Sequence, residues 1–283
     1  MAFAEHLPET ERPQWWMFRG TAKPCGLKTS LERALTDAGV PLSDAPDLER
    51  QMLKEFKRRA HFYLHDLPSD GDVLGWLALM QHHGAPTRLL DWTYSFYVAA
   101  FFALAEAISF PEADRQPAIV WALYRDAFKL ASQAPHANRA YESATAGRHW
   151  REDLGRSDGD IIYDGINAYL RSVMETPELS VWAINPFRLN ERLSVQKGVF
   201  LCPGHIGMPF EDNLLENTAS PSNLIRFELS TTPDARREML EVLDSMNIGN
   251  TSLFPGIDGF ARSLRQTAWV RYRLRPAKPT HQS

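Results

Sequence analysis

Residues 81–93 read QHHGAPTRLLDWT, and an apolar helical pattern lies on either side, VLGWLALM at 73–80 and SFYVAAFFALAEAIS at 95–109. A connector between two buried helices needs only a turn. Gly84 as a C-cap and Pro86 as a residue that cannot continue a helix supply one. Asp91 or Thr93 would then N-cap the second helix, with Trp92 as a packing anchor. Gln81, His82, Thr87 and Arg88 are left without a task. Bringing them into a packed neighbourhood costs free energy unless they bond to one another or to a ligand. On these residues alone, connector and binding site stand level.

Working outward, PQWWMFRG at 13–20 has the aromatic density of a strand, and residues 29–38 read as a helix. The linker VPLSDAPD leads to a long helix in which Leu48, Met52, Leu53, Phe56 and Ala60 form an apolar stripe. PAIVWALYR at 117–125 is a predicted strand, as are LSVWAI, VQKGVFLC at 195–202, NLIRFELS at 223–230 and AWVRYRLR at 268–275. A weaker helix is predicted over 163–175, and NPFRLNERL reads as a turn with a short helix. Thr232 or Asp234 caps a helix through DARREMLEVLDSM, and FPGIDGFARSLRQ gives another. Residues 131–160 are polar and aperiodic, the signature of an insertion or mobile loop. Helices gather early and strands late. The expected class is therefore α+β, a single domain over 1–283 with a mixed or antiparallel sheet and a helical N-terminal part packed against it.

Hydrophobic residues make up 44% of the 283, enough for a sizeable core. A net charge of −4 argues against a surface that is basic throughout, although a local basic cleft is compatible with it. Cys25 and Cys202 match no metal or redox spacing. MAFAEHLPET does not read as a signal peptide, and SFYVAAFFALAEAISF is too short to span a bilayer and carries Glu106. The expectation is a cytoplasmic chain with reduced thiols and no membrane partner.

The familiar catalytic and nucleotide signatures are missing. HExxH, GxSxG, GxxxxGK[ST] and GxGxxG do not occur. His61 and His65 stand at i, i+4, but no acidic or cysteine partner follows, so no metal is expected. Phe18-Arg19-Gly20 is different. An arginine at the end of an aromatic strand aims a planar fork suited to phosphate, and the glycine lets a ligand or a neighbouring backbone come close. The same Arg19 could equally pair with a core carboxylate such as Asp91. In NERLSVQKGVF at 190–200, Gln196 enters a strand with Arg192 one helical turn before it and Gly198 at the following turn. An amide so placed can recognise ribose hydroxyls or a carboxamide, or satisfy loop backbone. Arg271, Arg273 and Arg275 alternate on one strand face, either a solvated surface or a seat for nucleic acid or nucleotide.

Together these segments resemble the FRG domain family, named for the (F/Y)RG tripeptide, here Phe18-Arg19-Gly20. QHHGAPTRLLDWT, the apolar helix ending FFAL, NERLSVQKGVF and SLFPGIDGFARSL at 252–264 continue the likeness, with His83 in place of the usual aromatic. The motif order is in turn similar to ADP-ribosyltransferases. That resemblance implies an ADP-ribosyltransferase-like sheet core and NAD as substrate, with a protein or nucleic acid as acceptor and a toxin-like or phage-defence role. Arg19 would take the first position of that pattern, Thr87 or Thr93 the second, and Gln196 the third. Gln196-Lys197-Gly198 lacks the glutamate of the Gln/Glu-x-Glu strand, so Asp91 or Glu191 would supply the carboxylate. The implied roles follow: Arg19, helped by Arg88, grips the pyrophosphate between Phe18 and Gly20, Trp92 stacks, and Thr93 reaches the ribose. Arg192 and Gln196 orient the substrate, and Asp91 steadies the cation or accepts a proton, with His82 as the alternative base. A noncatalytic nucleotide- or phosphate-binding module and a nucleic-acid-processing enzyme are the rival expectations.

Overall fold

The computed structural model describes residues 16–24, 26–107, 116–124, 139, 158–184, 191–217, 223–257 and 259–264. Most of the 131–160 segment and the whole of the strand expected at 268–275 fall outside these residues, as do Arg271, Arg273 and Arg275.

Among the described residues six strands form one sheet: β1 (Trp16–Thr21), β2 (Leu90–Thr93), β3 (Ala118–Tyr124), β4 (Val181–Ile184), β5 (Gly198–Pro203) and β6 (Leu224–Leu229). Their order is β4-β5-β2-β1-β3-β6, and every neighbouring pair is antiparallel. The chain is therefore α+β with an antiparallel sheet, as the sequence leads one to expect. Strands are not late, however: the two central ones, β1 and β2, come from the first third of the chain. β2 is DWT itself, and this overturns the cap reading of Asp91. Ser95 instead opens the next helix: its hydroxyl accepts from the Val98 N–H at 3.4 Å, and its carbonyl accepts from the Ala99 N–H.

Period-2 alternation sorts the side chains onto two faces. Trp16, Phe18, Val120 and Ala122 meet helix α4 (Phe96–Ala107). Phe200, Cys202 and Ile184, on the same face by register, meet α3 (Val73–His82) and α5 (Asp158–Glu175). The opposite face carries Met17, Leu90, Trp92, Val199 and Leu201 against Phe210 and Leu214 of helix α7 (Phe210–Asn217). That helix was not foreseen from the sequence.

Helices α1 (Ser30–Ala38) and α2 (Ala45–Ala60) form the helical N-terminal part. Thr29 caps α1 by accepting from the Glu32 N–H at 3.1 Å, and Gly39 closes it in the left-handed region at φ 67°. α2 stops at Ala60, so His61 and His65 do not share a helix face. Helices α6 (Glu191–Val195), α8 (Pro233–Ser245) and α9 (Asn250–Leu253) complete the named elements. Helical backbone resumes at 257 and runs over 259–264.

Two local devices shape the centre of the sheet. β1 pairs with β2 at a single position, Phe18 with Thr93, whereas β1 and β3 pair along six. The Arg19 guanidinium donates to the backbone carbonyl of Asp91, an oxygen that lies just past this one paired position. Gly20 is dictated by packing: a Cβ there would lie 1.9 Å from the Ala99 carbonyl oxygen, so α4 can rest its backbone directly on β1.

Candidate functional site

The helices on the first face leave a gap. α4 covers β1, β3 and β6, α3 and α5 cover β4 and β5, and between them the sheet surface over β2 stays open. A cleft of about 240 Å3 occupies this gap. Gly20, Thr93, Gly198 and Phe200 lie at its floor, and Ala99, Phe102 and Glu106 of α4 form one wall. Ala78, Gln81 and His82 of α3 form another, and Arg192, Leu193 and Gln196 close it from α6 and the turn that follows. Arg19 and Asp91 also line it. Arginine, aspartate and amide from three distant segments thus face one hollow.

The placement of each polar group has a local cause. Asp91 is exposed, because β2 turns it away from the side that buries Leu90 and Trp92. Gln81 fixes it, donating through Nε2 to Asp91 Oδ2 at 2.9 Å. Gln81 is itself held, since its Oε1 accepts from the Thr87 hydroxyl at 2.6 Å and from the Ser30 hydroxyl at 3.3 Å. Thr87 is fully buried and does not line the cleft. It positions Gln81, which in turn positions Asp91. His82 ends α3 with its ring 5.0 Å from that of His83. Desolvation above all, then the neighbouring His83 and the charge of Arg192, hold its pKa below the usual imidazole value. Arg192 is half-buried, and its guanidinium sits 4.9 Å from the centre of the Phe254 ring, with that of Arg262 at 4.6 Å. Desolvation lowers the Arg192 pKa, against the attraction of Asp91, which raises it.

Other residues expected at the site have different employment. Arg88 is buried and outside the cleft, with its guanidinium in a two-pronged pair with Glu49; Arg88 Nε donates to both carboxylate oxygens at 3.0 and 2.9 Å. Desolvation is the largest single influence and lowers the Arg88 pKa, but the charge and hydrogen bonds of Glu49, with smaller contributions from Cys202 and Tyr169, together hold it above its ordinary value. Phe18 and Trp92 border the cleft, but at 1% and 3% exposure they are core residues that offer a ligand no ring face. The Thr93 hydroxyl donates to the Gln196 carbonyl at 2.7 Å and accepts from the Ser95 N–H at 3.0 Å, so it serves the fold rather than a ribose. Gln196 lines the cleft, yet its Nε2 donates to the Leu253 carbonyl at 2.8 Å. The turn into β5 places Lys197, not Gly198, in the left-handed region at φ 48°. Gly198 is needed because Leu193 fills the space of its Cβ. Glu191 does not line the cleft, whereas Glu106 does. Glu106 was missed as a site residue because it lies in an apolar helix, where it serves only to argue against a membrane span. A lone carboxylate one residue before the end of the apolar α4 was the available signal.

Cys202 is fully buried, and burial pushes its thiol up to about 12, which removes it as a nucleophile at neutral pH. Among the described residues, no three His, Cys, Asp or Glu side chains gather as a metal site requires. No helix among those residues is long and apolar enough to cross a membrane.

Residues 14–111 match the family model of the FRG domain. In this chain the matched segment holds β1, α1 to α4 and β2. No curated protein and no solved structure matches it.

Proposed function

We propose that the chain is an ADP-ribosyltransferase-like enzyme that takes NAD as substrate and breaks its nicotinamide–ribose bond. The observation that supports this reading is the convergence of Arg19, Asp91, His82 and Arg192 on one cleft. In such a reaction the C1′–N bond breaks with its electron pair leaving on nicotinamide, and positive charge builds on the ribose. Preorganised negative charge stabilises that state. Asp91, fixed by Gln81, supplies it, and Glu106 on the opposite wall offers a second carboxylate where the Gln196-Lys197-Gly198 strand has none. Arg19 and Arg192 hold the phosphates. His82, with its lowered pKa, is neutral at physiological pH and accepts the proton of the attacking acceptor or water. The cleft is smaller than the roughly 300–1,000 Å3 of usual ligand sites. It therefore takes the nicotinamide ribose and the adjoining phosphates, with the adenosine end lying outward.

Nicotinamide release from NAD by the purified chain, with and without cell lysate as acceptor, tests the reading. Release is expected, lost in Arg19→Ala and Asp91→Asn, and reduced in Glu106→Gln. A neutral His82 persists to lower pH than an ordinary imidazole of about 6.5. The acid limb of the rate profile should accordingly lie below that value and disappear in His82→Ala.

A noncatalytic nucleotide-binding module is the second reading, and the commitment of the Gln196 amide to Leu253 favours it. A rise in melting temperature with NAD or ADP-ribose, without release of nicotinamide, would select it.

A further inference from the structure

The stretch SLFPGIDGFARSL at 252–264 has no task in the chemistry above, yet it meets the wall of the cleft. Gln196, in that wall, donates to the Leu253 carbonyl and ties this stretch to the turn before β5. The next residue, Phe254, meets the ring of the cleft residue Phe102 edge-on at 5.9 Å. Gly256 makes the turn that follows, in the left-handed region at φ 93°. Gly259 then lets the helical backbone of 259–264 rest against Phe254, since a Cβ there would lie 1.7 Å from the Phe254 carbonyl oxygen. Arg262, three residues on, is carried over the Phe254 ring by this close approach.

Two guanidinium groups therefore share one ring, Arg192 at 4.9 Å and Arg262 at 4.6 Å from its centre. The ring attracts each cation, but the cations repel one another. Burial does most to disfavour the charge of Arg192; Asp91 opposes it, and Arg262 adds to it. Among the described residues neither guanidinium makes a hydrogen bond or an ion pair. Arg50, Arg58, Arg226 and Arg237, by contrast, each pair with a carboxylate. A half-buried arginine held beside a second one, with both forks of donors open, is costly until an anion arrives.

We infer that Arg192 and Arg262 form a second phosphoryl seat at the mouth of the cleft, apart from Arg19, and that the ligand class of the site is a diphosphate. An anion between the two forks removes their repulsion and supplies the missing acceptors. Arg192 lines the cleft, whereas Arg262 is exposed and lies outside the lining, so the seated group sits where the hollow opens to solvent. The inference rests on the nucleotide reading of the cleft. It adds Arg262 as a specificity-determining residue that does not touch the reacting atoms.

Calorimetric titration of the full chain with ADP-ribose, inorganic pyrophosphate and inorganic phosphate tests it. Pyrophosphate should bind tighter than phosphate by about tenfold or more, and Arg262→Gln should weaken both pyrophosphate and ADP-ribose by about tenfold. This substitution alters an exposed side chain, so the melting temperature should hold. Arg58→Gln, which removes the same charge from α2, should leave every titration unchanged. Pyrophosphate affinity equal in Arg262→Gln and the unaltered chain would overturn the inference, as would phosphate binding as tightly as pyrophosphate. An equal loss in Arg58→Gln would do so too, marking a general effect of charge. Loss of pyrophosphate with ADP-ribose unaffected would also overturn it, assigning the seat to a phosphate on another molecule. Nicotinamide release without Arg262-dependent binding would sink the seat alone, whereas Arg262-dependent binding without release would sink NAD cleavage alone.

Discussion

The 81–93 run divides into two regions that look alike in sequence and behave oppositely in space. Its ends, Gln81, His82 and Asp91, face the cleft. Its middle, Thr87 to Leu90, is buried, with Arg88 at 1% exposure locked to Glu49. Both regions are dense in polar groups, but for different reasons. The middle spends its polar groups on one another and on α1 and α2, through Thr87 to Ser30 and Gln81 and Arg88 to Glu49. The ends stay open because the scaffold between them is closed. Polar density in a motif therefore marks either a site or the frame that holds one, and here it marks both.

Breaking the frame should have the largest effect. Arg88→Ala would leave the Glu49 carboxylate buried without its partner, at a cost of about 3–5 kcal/mol. Urea denaturation should record it, and pairing Arg88→Met with Glu49→Leu should restore most of the loss. Gly20→Ala comes next. Its methyl group would collide with the Ala99 carbonyl, and overpacking of this kind costs about 1–3 kcal/mol. Because α4 is a wall of the cleft, ligand affinity should fall together with stability in this variant, as calorimetry of the same preparation would show. Asp91→Asn, at the open end, should have the smallest effect on stability. Asparagine can still accept from Gln81, so the change should stay within about 1 kcal/mol, while nicotinamide release is lost. A large drop in melting temperature would move Asp91 from site to frame.

The fold was legible where side-chain periodicity is strong. The stripe on α2, the apolar α4 and the β3 and β6 strands are near their expected places, and the α+β class followed from them. DWT was misread because a four-residue strand after PTRLL resembles a capping sequence until β5 is present to pair with it. The helix at Phe210–Asn217 follows Pro209 and is polar on most of its surface, so its short apolar stripe did not stand out. At the site, Arg19, His82, Asp91, Gln196 and Arg192 reach the expected hollow. What the sequence could not disclose is how far each polar group was already engaged. Arg88 finds Glu49 across 39 residues and Gln196 finds Leu253 across 57. Such distant partnerships carry no local pattern.

The seam between β1 and β2 has one further consequence. The sheet is two trios of strands, stitched by the Phe18–Thr93 pair and by the grip of Arg19 on the Asp91 carbonyl. An anion that draws Arg19 to itself loosens that stitch at the moment of arrival. Filling the hollow and slackening the sheet would then be one event, and amide exchange along Leu90–Thr93 would be its gauge.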